Sequence, residues 1–135
     1  MSGAGYSGTP LTKKVGAKPG ARALVVGAPA DVPELFGDGV QVLKRAGGAP
    51  LDAIVFFVTE RRELVRRLPQ LRERLDPDGM LWVAWPKRAS GVPTDVTEDV
   101  IRDLAVGTSD LVDVKVIAVD ETWSGLKLMV RRSAR

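Results

Sequence analysis

Two uninterrupted apolar runs, residues 53–58 (A-I-V-F-F-V) and 80–85 (M-L-W-V-A-W), constrain the fold of this chain more than any other feature. A strand with one face in water alternates apolar and polar residues, and neither run does so. Both faces of each strand are therefore expected to be buried, as in the interior of a parallel sheet with helices on each side. The second run follows an Asp-Gly turn and stops at Pro86, which has no N–H group for a sheet.

The segment between the two runs, residues 60–75, has leucines at helical spacing and is predicted to be a helix capped by Thr59. Pro69 lies inside this helix and is expected to kink it. The arginines of the helix are interleaved with glutamates, which favours an ordinary solvated face over a nucleic-acid surface. The leucines expected to face the sheet are Leu64, Leu68, Leu71 and Leu75.

The remaining pattern predicts a three-layer α/β domain over residues 21–135, with an arm over residues 1–20. The arm is rich in Gly, Ser and Pro and is interpreted as partly ordered, with a lid anchored by Tyr6 as the alternative. A further helix is expected from Thr94 or Asp95 to about Val106, and a short one over residues 31–36. The other strands are predicted at residues 22–26, 40–43, 112–119 and 123–132, the last two as an antiparallel hairpin.

Composition excludes several kinds of chemistry. The chain has no cysteine and no histidine, so disulfides, thiolate nucleophiles, zinc–cysteine sites and imidazole bases are excluded. The acidic group Asp95, Glu98 and Asp99 is explained by the start of a helix, and no metal site is predicted. The formal net charge of +3, with intermixed signs, makes nucleic acid an unlikely partner. Without an apolar signal segment or a membrane-spanning run, the expected location is the cytoplasm.

A binding site is expected at the carboxyl edge of the sheet, where ligands bind in open α/β folds. Parallel strands bring their carboxyl ends to this edge, together with the turn of the final hairpin. The predicted ligand-binding residues would form a small polar pocket with one aromatic wall, and no catalytic residue is identified. They are Gly27, Thr59, Lys87, Glu121 and Trp123. Trp82 is interpreted as a core residue.

The strand–helix order resembles a shortened core of the class I methyltransferases. That resemblance implies a Rossmann-like, mostly parallel sheet of order 2-1-3-4-6-5, with the last strand antiparallel. Four segments also resemble a family of small bacterial, actinobacterial-type proteins of unknown function. No functional residue follows from that second resemblance, which spans residues 5–132. The segments are G-Y-S-G-T-P-L-T-K-K (5–14), G-M-L-W-V-A-W-P-K (79–87), T-D-V-T-E-D (94–99) and V-D-V-K-V-I-A-V-D-E-T-W-S-G-L-K (112–127).

The resemblance to methyltransferases is incomplete at the residues that matter. Adenosylmethionine sites resemble D/E-x-G-x-G-x-G after the first strand, whereas this chain reads V-V-G-A-P-A-D, with Gly27 alone. A carboxylate that usually holds the ribose hydroxyls ends the second strand in such sites, and here Lys44 and Arg45 follow that strand. These cations favour an anion or a surface role. The same missing glycines argue against a dinucleotide, and no cofactor is expected.

Three classes of function remain open on the sequence. The favoured interpretation is a non-catalytic Rossmann-like module that binds a small ligand or a protein partner, which suits the lost glycines and the missing His and Cys. The second is a degenerate methyltransferase-like protein that still binds S-adenosylmethionine. The third is a nucleic-acid accessory protein that uses the arginine-rich helix or the basic ends of the chain. On balance the sequence favours a protein without enzymatic activity.

Overall fold

A computed structural model describes residues 9–45 and 47–134 of the chain. The proposed anchor Tyr6 lies outside the described residues. The helices are α1 (Leu11–Val15), α2 (Arg61–Arg74) and α3 (Glu98–Thr108). The strands are β1 (Arg22–Val26), β2 (Gln41–Leu43), β3 (Leu51–Phe57), β4 (Leu75–Pro86), β5 (Leu111–Ala118) and β6 (Trp123–Val130).

The six strands form one sheet in the order β2-β1-β3-β4-β6-β5. β1 pairs in parallel with β2 and β3, and β3 pairs in parallel with β4. β6 is antiparallel to both β4 and β5, between which it lies. The predicted strand order and the antiparallel closing strand are both confirmed. β4 is in the interior of the sheet because its apolar run has no polar face to present to water.

The two faces of the sheet carry separate apolar clusters. On one face, Leu81, Val83 and Trp85 of β4 pack with the buried residues of α2 and α3. On the other face, Trp82 and Ala84 pack with α1 and with the connection between β1 and β2. Successive side chains of a strand point to opposite faces, so one unbroken apolar run supplies both clusters. Trp82 is a core residue, as predicted, and is only 2% exposed.

Two helix predictions need correction. Residues 31–36 form no helix; Leu35 and Phe36 are nevertheless buried against the sheet. α3 begins at Glu98 rather than near Thr94, and the Thr97 hydroxyl accepts the Val100 N–H at 3.2 Å as its cap. The capping residue therefore sits two to three positions later than predicted, because Thr94 is engaged elsewhere.

α2 orients its side chains as the spacing predicts. Leu64, Leu68 and Leu71 are buried, as is Leu75 just beyond the helix, and the arginines Arg62, Arg66 and Arg74 are exposed. Among the described residues, no helix is both long enough and apolar enough to cross a membrane. Over the same residues, no group of three or more carboxylates is placed to hold a metal ion.

One ion pair joins α2 to the start of β5. The Arg72 guanidinium donates hydrogen bonds of 2.7 and 2.8 Å to the two oxygens of Asp110. These bonds hold the pKa of the Asp110 carboxyl below its ordinary value. A carboxyl whose folded pKa is depressed stabilises the fold above its unfolded pKa, which is about 3.9, and loses that contribution as pH falls through the folded pKa.

We expect Asp110→Asn to lower the free energy of unfolding at neutral pH by roughly 1 kcal/mol, because the pair is only partly buried. The difference from the unsubstituted protein should shrink as pH falls below about 4, where the carboxyl begins to be protonated in the unfolded state, and vanish only below the depressed folded pKa of Asp110. Urea unfolding at several pH values measures both effects. Asp103→Asn, on the exposed side of α3, is the control and should change little. An equal loss for the two variants would assign the effect to net charge rather than to the pair.

Candidate functional site

The turn after β1 is left-handed at Gly27, whose φ is 72°. A Cβ atom added there would lie 2.6 Å from the carbonyl oxygen of Phe57, so only glycine fits this backbone. The end of β1 is thereby packed directly against the end of β3. Gly27 thus lies at the carboxyl edge, where the sequence predicts it.

Phe57, the last residue of β3, connects Gly27 to an aromatic side chain at the start of β6. The ring centroids of Phe57 and Trp123 are 5.1 Å apart with an interplanar angle of 82°, an edge-to-face contact. Phe57 is buried, whereas Trp123 is partly exposed. The two rings form an aromatic wall at the carboxyl edge, on the sheet face that carries α1.

Lys87 contacts the turn between β5 and β6, as the topology predicts. The Lys87 N–H donates to the Thr122 carbonyl at 2.8 Å, and the Lys87 ammonium donates to the Asp120 carbonyl, also at 2.8 Å. The Asp120 carboxylate accepts the N–H groups of Thr122 and Trp123 at 2.9 and 2.8 Å, which shapes the turn. Lys87 is therefore held by the turn, and the Glu121 side chain is left exposed.

Thr59 is not the cap of α2, which corrects that prediction. Its carbonyl oxygen accepts the Thr94 hydroxyl at 2.6 Å, so it ties the end of β3 to the loop before α3. The first N–H group of α2, that of Arg61, donates instead to the Asp95 carboxylate at 2.6 Å. A carboxylate is favourable at a helix N-terminus because it accepts an unpaired N–H and opposes the helix dipole.

The sequence interpretation missed the roles of Asp95 and Asp120 at this edge. Asp120 carried a local signal, since Asp at a tight connection is typical of a turn in which the carboxylate accepts the backbone N–H group two residues later. Asp95 carried none, because it caps a helix that begins 34 positions earlier. The sequence pattern instead predicts that Asp95 belongs to the start of the helix that follows it.

A cleft of about 570 Å³ opens beside Gly27 on the face of the sheet that carries α2. Its floor is β1, and α2 and the segment after β2 form its sides. Lys44 and Arg45 line it from that segment, so the two cations that follow β2 face a concavity. The other polar side chains that line the cleft are Arg67, Gln70, Glu73 and Arg74.

The structure brings the five predicted site residues to one edge but distributes them over three places. Gly27 lines the cleft beside α2, whereas Thr59 lines a separate hollow with Pro93 and Thr94. Lys87 and Glu121 accompany Trp123 at the hairpin turn, and Phe57 links that turn to Gly27. The ligand-binding role of these residues stays a prediction.

Comparison with known proteins supports the fold. The chain superposes on a SAM dependent methyltransferase from Aquifex aeolicus with a TM-score of 0.59 and 20% identity, covering 87% of this chain and 86% of that one. It superposes on a ribosomal protein L11 methylase from Lactobacillus delbrueckii subsp. bulgaricus with a TM-score of 0.56 and 13% identity, covering 90% and 75%. It superposes on magnesium protoporphyrin IX methyltransferase from Synechocystis PCC 6803 with a TM-score of 0.57 and 13% identity, covering 84% of this chain and 71% of that one.

No family model matches the chain, and no curated protein matches it. At these identities the structural likeness establishes a fold shared with methyltransferases, as the distant resemblance implies. The resemblance to a bacterial family of unknown function stays a prediction.

The interpretation of the chain as a non-catalytic Rossmann-like module is wrong. Solved proteins that share its fold over most of its length are named as methyltransferases. The alternative of a methyltransferase-like protein that binds an adenosylmethionine-type ligand agrees better with these neighbours. The missing glycines and the missing histidine favoured the module. These residues affect the contacts that a bound ligand would make, and they do not determine the fold.

Proposed function

We propose that this chain is a methyltransferase-like protein that binds S-adenosylmethionine or S-adenosylhomocysteine at the carboxyl edge of its sheet. The observation that supports it most is the left-handed turn at Gly27, at the end of β1 in a sheet with the strand order 2-1-3-4-6-5. In an open α/β sheet, a glycine turn at this point lets the backbone approach a ligand closely.

The residues at this edge fit the nucleoside part of such a ligand at two points. The backbone at Gly27 lines an open cleft, and the partly exposed Trp123 ring offers an apolar surface to a base. Stacking of a base on an aromatic ring contributes roughly 1–3 kcal/mol. S-adenosylmethionine, when bound, would supply the methyl group.

The end of β2 departs from the familiar arrangement. Lys44 and Arg45 replace the carboxylate that commonly accepts ribose hydroxyls, and a cation cannot accept those hydrogen bonds. The ribose must therefore be held by other groups or left in solvent. S-adenosylmethionine also carries a sulfonium charge, which nearby cations disfavour. The sulfur of S-adenosylhomocysteine is uncharged, so we expect this ligand to bind more tightly than S-adenosylmethionine.

Isothermal titration of both ligands against the full chain tests the proposal. We expect saturable binding, with S-adenosylhomocysteine stronger, and a rise in melting temperature with ligand concentration. Trp123→Ala should weaken binding about tenfold, since that is the loss from roughly 1.4 kcal/mol of stacking. Trp123→Phe keeps an aromatic ring and should retain most of the affinity.

Denaturant unfolding of each variant separates binding from stability. If Trp123→Ala remains folded and binds both ligands as the unsubstituted protein does, the aromatic wall is not the site. Absence of binding by either ligand to the unsubstituted chain at millimolar concentration would refute the proposed function. Free methionine and adenosine, run as half-ligand controls, report which part of the molecule is recognised.

A further inference from the structure

The cleft beside α2 carries more cationic than anionic side chains among the residues that line it. Its cationic side chains come from two segments distant in sequence, and among the described residues Glu73 is the one carboxylate that lines it. Over residues 9–45 and 47–134, none of these cations forms an ion pair with a carboxylate. The four cationic residues are Lys44, Arg45, Arg67 and Arg74.

Other arginines of the same region are paired, so the contrast is specific to the cleft. Arg66, on the outer side of α2, pairs with Glu63 of its own helix, and Arg72 pairs with Asp110. Arg102 of α3 pairs with three carboxylates. Since unpaired cations in a concave surface reinforce one another, the cleft holds a positive potential that attracts anions.

Arg67 supplies a second, independent observation. Its Nε atom is buried and has no hydrogen-bond partner within the described part of the chain. A buried donor without an acceptor destabilises the fold, and such groups are uncommon in native proteins. A rotation of the Arg67 side chain would let an oxyanion in the cleft accept from Nε and from the adjacent Nη group together, in the two-pronged geometry that guanidinium groups form with phosphate.

Arg74 connects the two sides of the cleft, α2 and the segment after β2. Its guanidinium donates to the Gly47 carbonyl at 2.8 Å, which ties α2 to the segment after β2. This bond uses one of five N–H groups, so the others can still reach a ligand. The floor between the cations is apolar, with Leu24 and Leu71 contributing.

We propose that this cleft binds the phosphate groups of a small phosphorylated ligand of nucleotide size. A volume of about 570 Å³ suits a molecule of that size, since small-molecule sites span roughly 300–1,000 Å³. The cations meet the phosphate charge, and the apolar floor meets the organic part of the molecule. A nucleic-acid strand is a poorer match, because the exposed outer face of α2 carries arginines interleaved with glutamates rather than a continuous basic track.

The inference does not rest on the proposed adenosylmethionine site. The two sites share the backbone at Gly27, but the aromatic wall at Trp123 lies on the opposite face of the sheet from the cations of the cleft. Adenosine diphosphate and inorganic pyrophosphate serve as probes for the full chain, with adenosine as the phosphate-free control. We expect both probes to raise the melting temperature, pyrophosphate to displace adenosine diphosphate, and adenosine to bind far more weakly than the diphosphate.

The test variant is Arg45→Gln with Arg67→Gln, and the charge-matched control is Arg61→Gln with Arg66→Gln outside the cleft on α2. The cleft variant should weaken binding of adenosine diphosphate at least about tenfold, whereas the control should change it less than about twofold. Without ligand, the cleft variant should be at least as stable as the unsubstituted protein, because it removes unpaired like charges and a buried donor.

Three results would overturn the inference. One is no stabilisation by either probe at millimolar concentration. A second is an equal loss of binding in the two double variants, which would assign the effect to net charge. A third is binding of single-stranded RNA that is lost in the cleft variant and is tighter than that of adenosine diphosphate at the same salt concentration, which would make the ligand a polyanion. S-adenosylhomocysteine binding, measured in parallel, decides the proposed function alone.

Discussion

Trp82→Ala is expected to lower the free energy of unfolding by about 3–5 kcal/mol, the range for truncating a large buried aromatic side chain. Trp82 is 2% exposed in the interior strand β4, and its ring packs on the sheet face that carries α1. Its indole N–H also donates to the Val15 carbonyl at 3.3 Å, at the end of α1. The substitution therefore opens a cavity and leaves a carbonyl without its donor.

Trp82→Phe separates those two contributions. Phenylalanine keeps an aromatic ring but cannot donate to Val15, so we expect a loss of about 1–3 kcal/mol, from one buried hydrogen bond and a smaller cavity. Relative to the unsubstituted protein, Trp82→Phe should speed amide hydrogen exchange more in α1 than in the interior strands, because the lost bond tied α1 to the sheet. If Trp82→Ala unfolds with an unchanged midpoint and slope in urea, β4 is not in the core.

Gly27→Ala should destabilise the fold by about 2–5 kcal/mol, combining roughly 1–2 kcal/mol for a left-handed backbone with the cost of overpacking. The new Cβ would lie 2.6 Å from the Phe57 carbonyl oxygen, and neither strand end can shift easily in the sheet interior. The free energy of unfolding in urea measures the loss.

The matched control is Gly20→Ala, at another left-handed glycine. Gly20 has a φ of 91°, and nothing lies within 4 Å of a Cβ added there. It should lose only the backbone contribution of roughly 1–2 kcal/mol. The difference between the two variants then measures the close approach of β1 and β3. Equal losses would show that the turn at Gly27 can relax and is not a point of close packing.

The arrangement of the carboxyl edge was only partly accessible from sequence. Gly27 could be located because a strand pattern ends at it, and Lys87 because Pro86 stops β4. The contact of Lys87 with the hairpin turn followed from topology alone, since β6 returns beside β4. The division of the predicted residues among three places could not be foreseen, because it depends on which side of each strand end faces α2.

The amino-acid sequence by itself determined which segments are strands and which helix faces are buried. The unbroken run 80–85 predicts a strand buried on both faces, and the leucines of α2 predict a helix buried on one face, because burial of apolar surface dominates folding. Periodicity is a local property, so these features were readable without coordinates.

Tertiary structure alone decided the partners of the charged residues. Asp95 caps α2 across 34 positions, and Asp110 pairs with Arg72 across 38. In the part of the chain that the structure describes, Arg67 has no partner for its Nε although glutamates are close by in sequence. Charge attraction depends on distance in space and on the surrounding dielectric, neither of which is a function of separation along the chain. The cluster of cations in the cleft therefore could not be predicted from sequence. It forms because the sheet order places β1 beside β2 and because α2 packs over these strands.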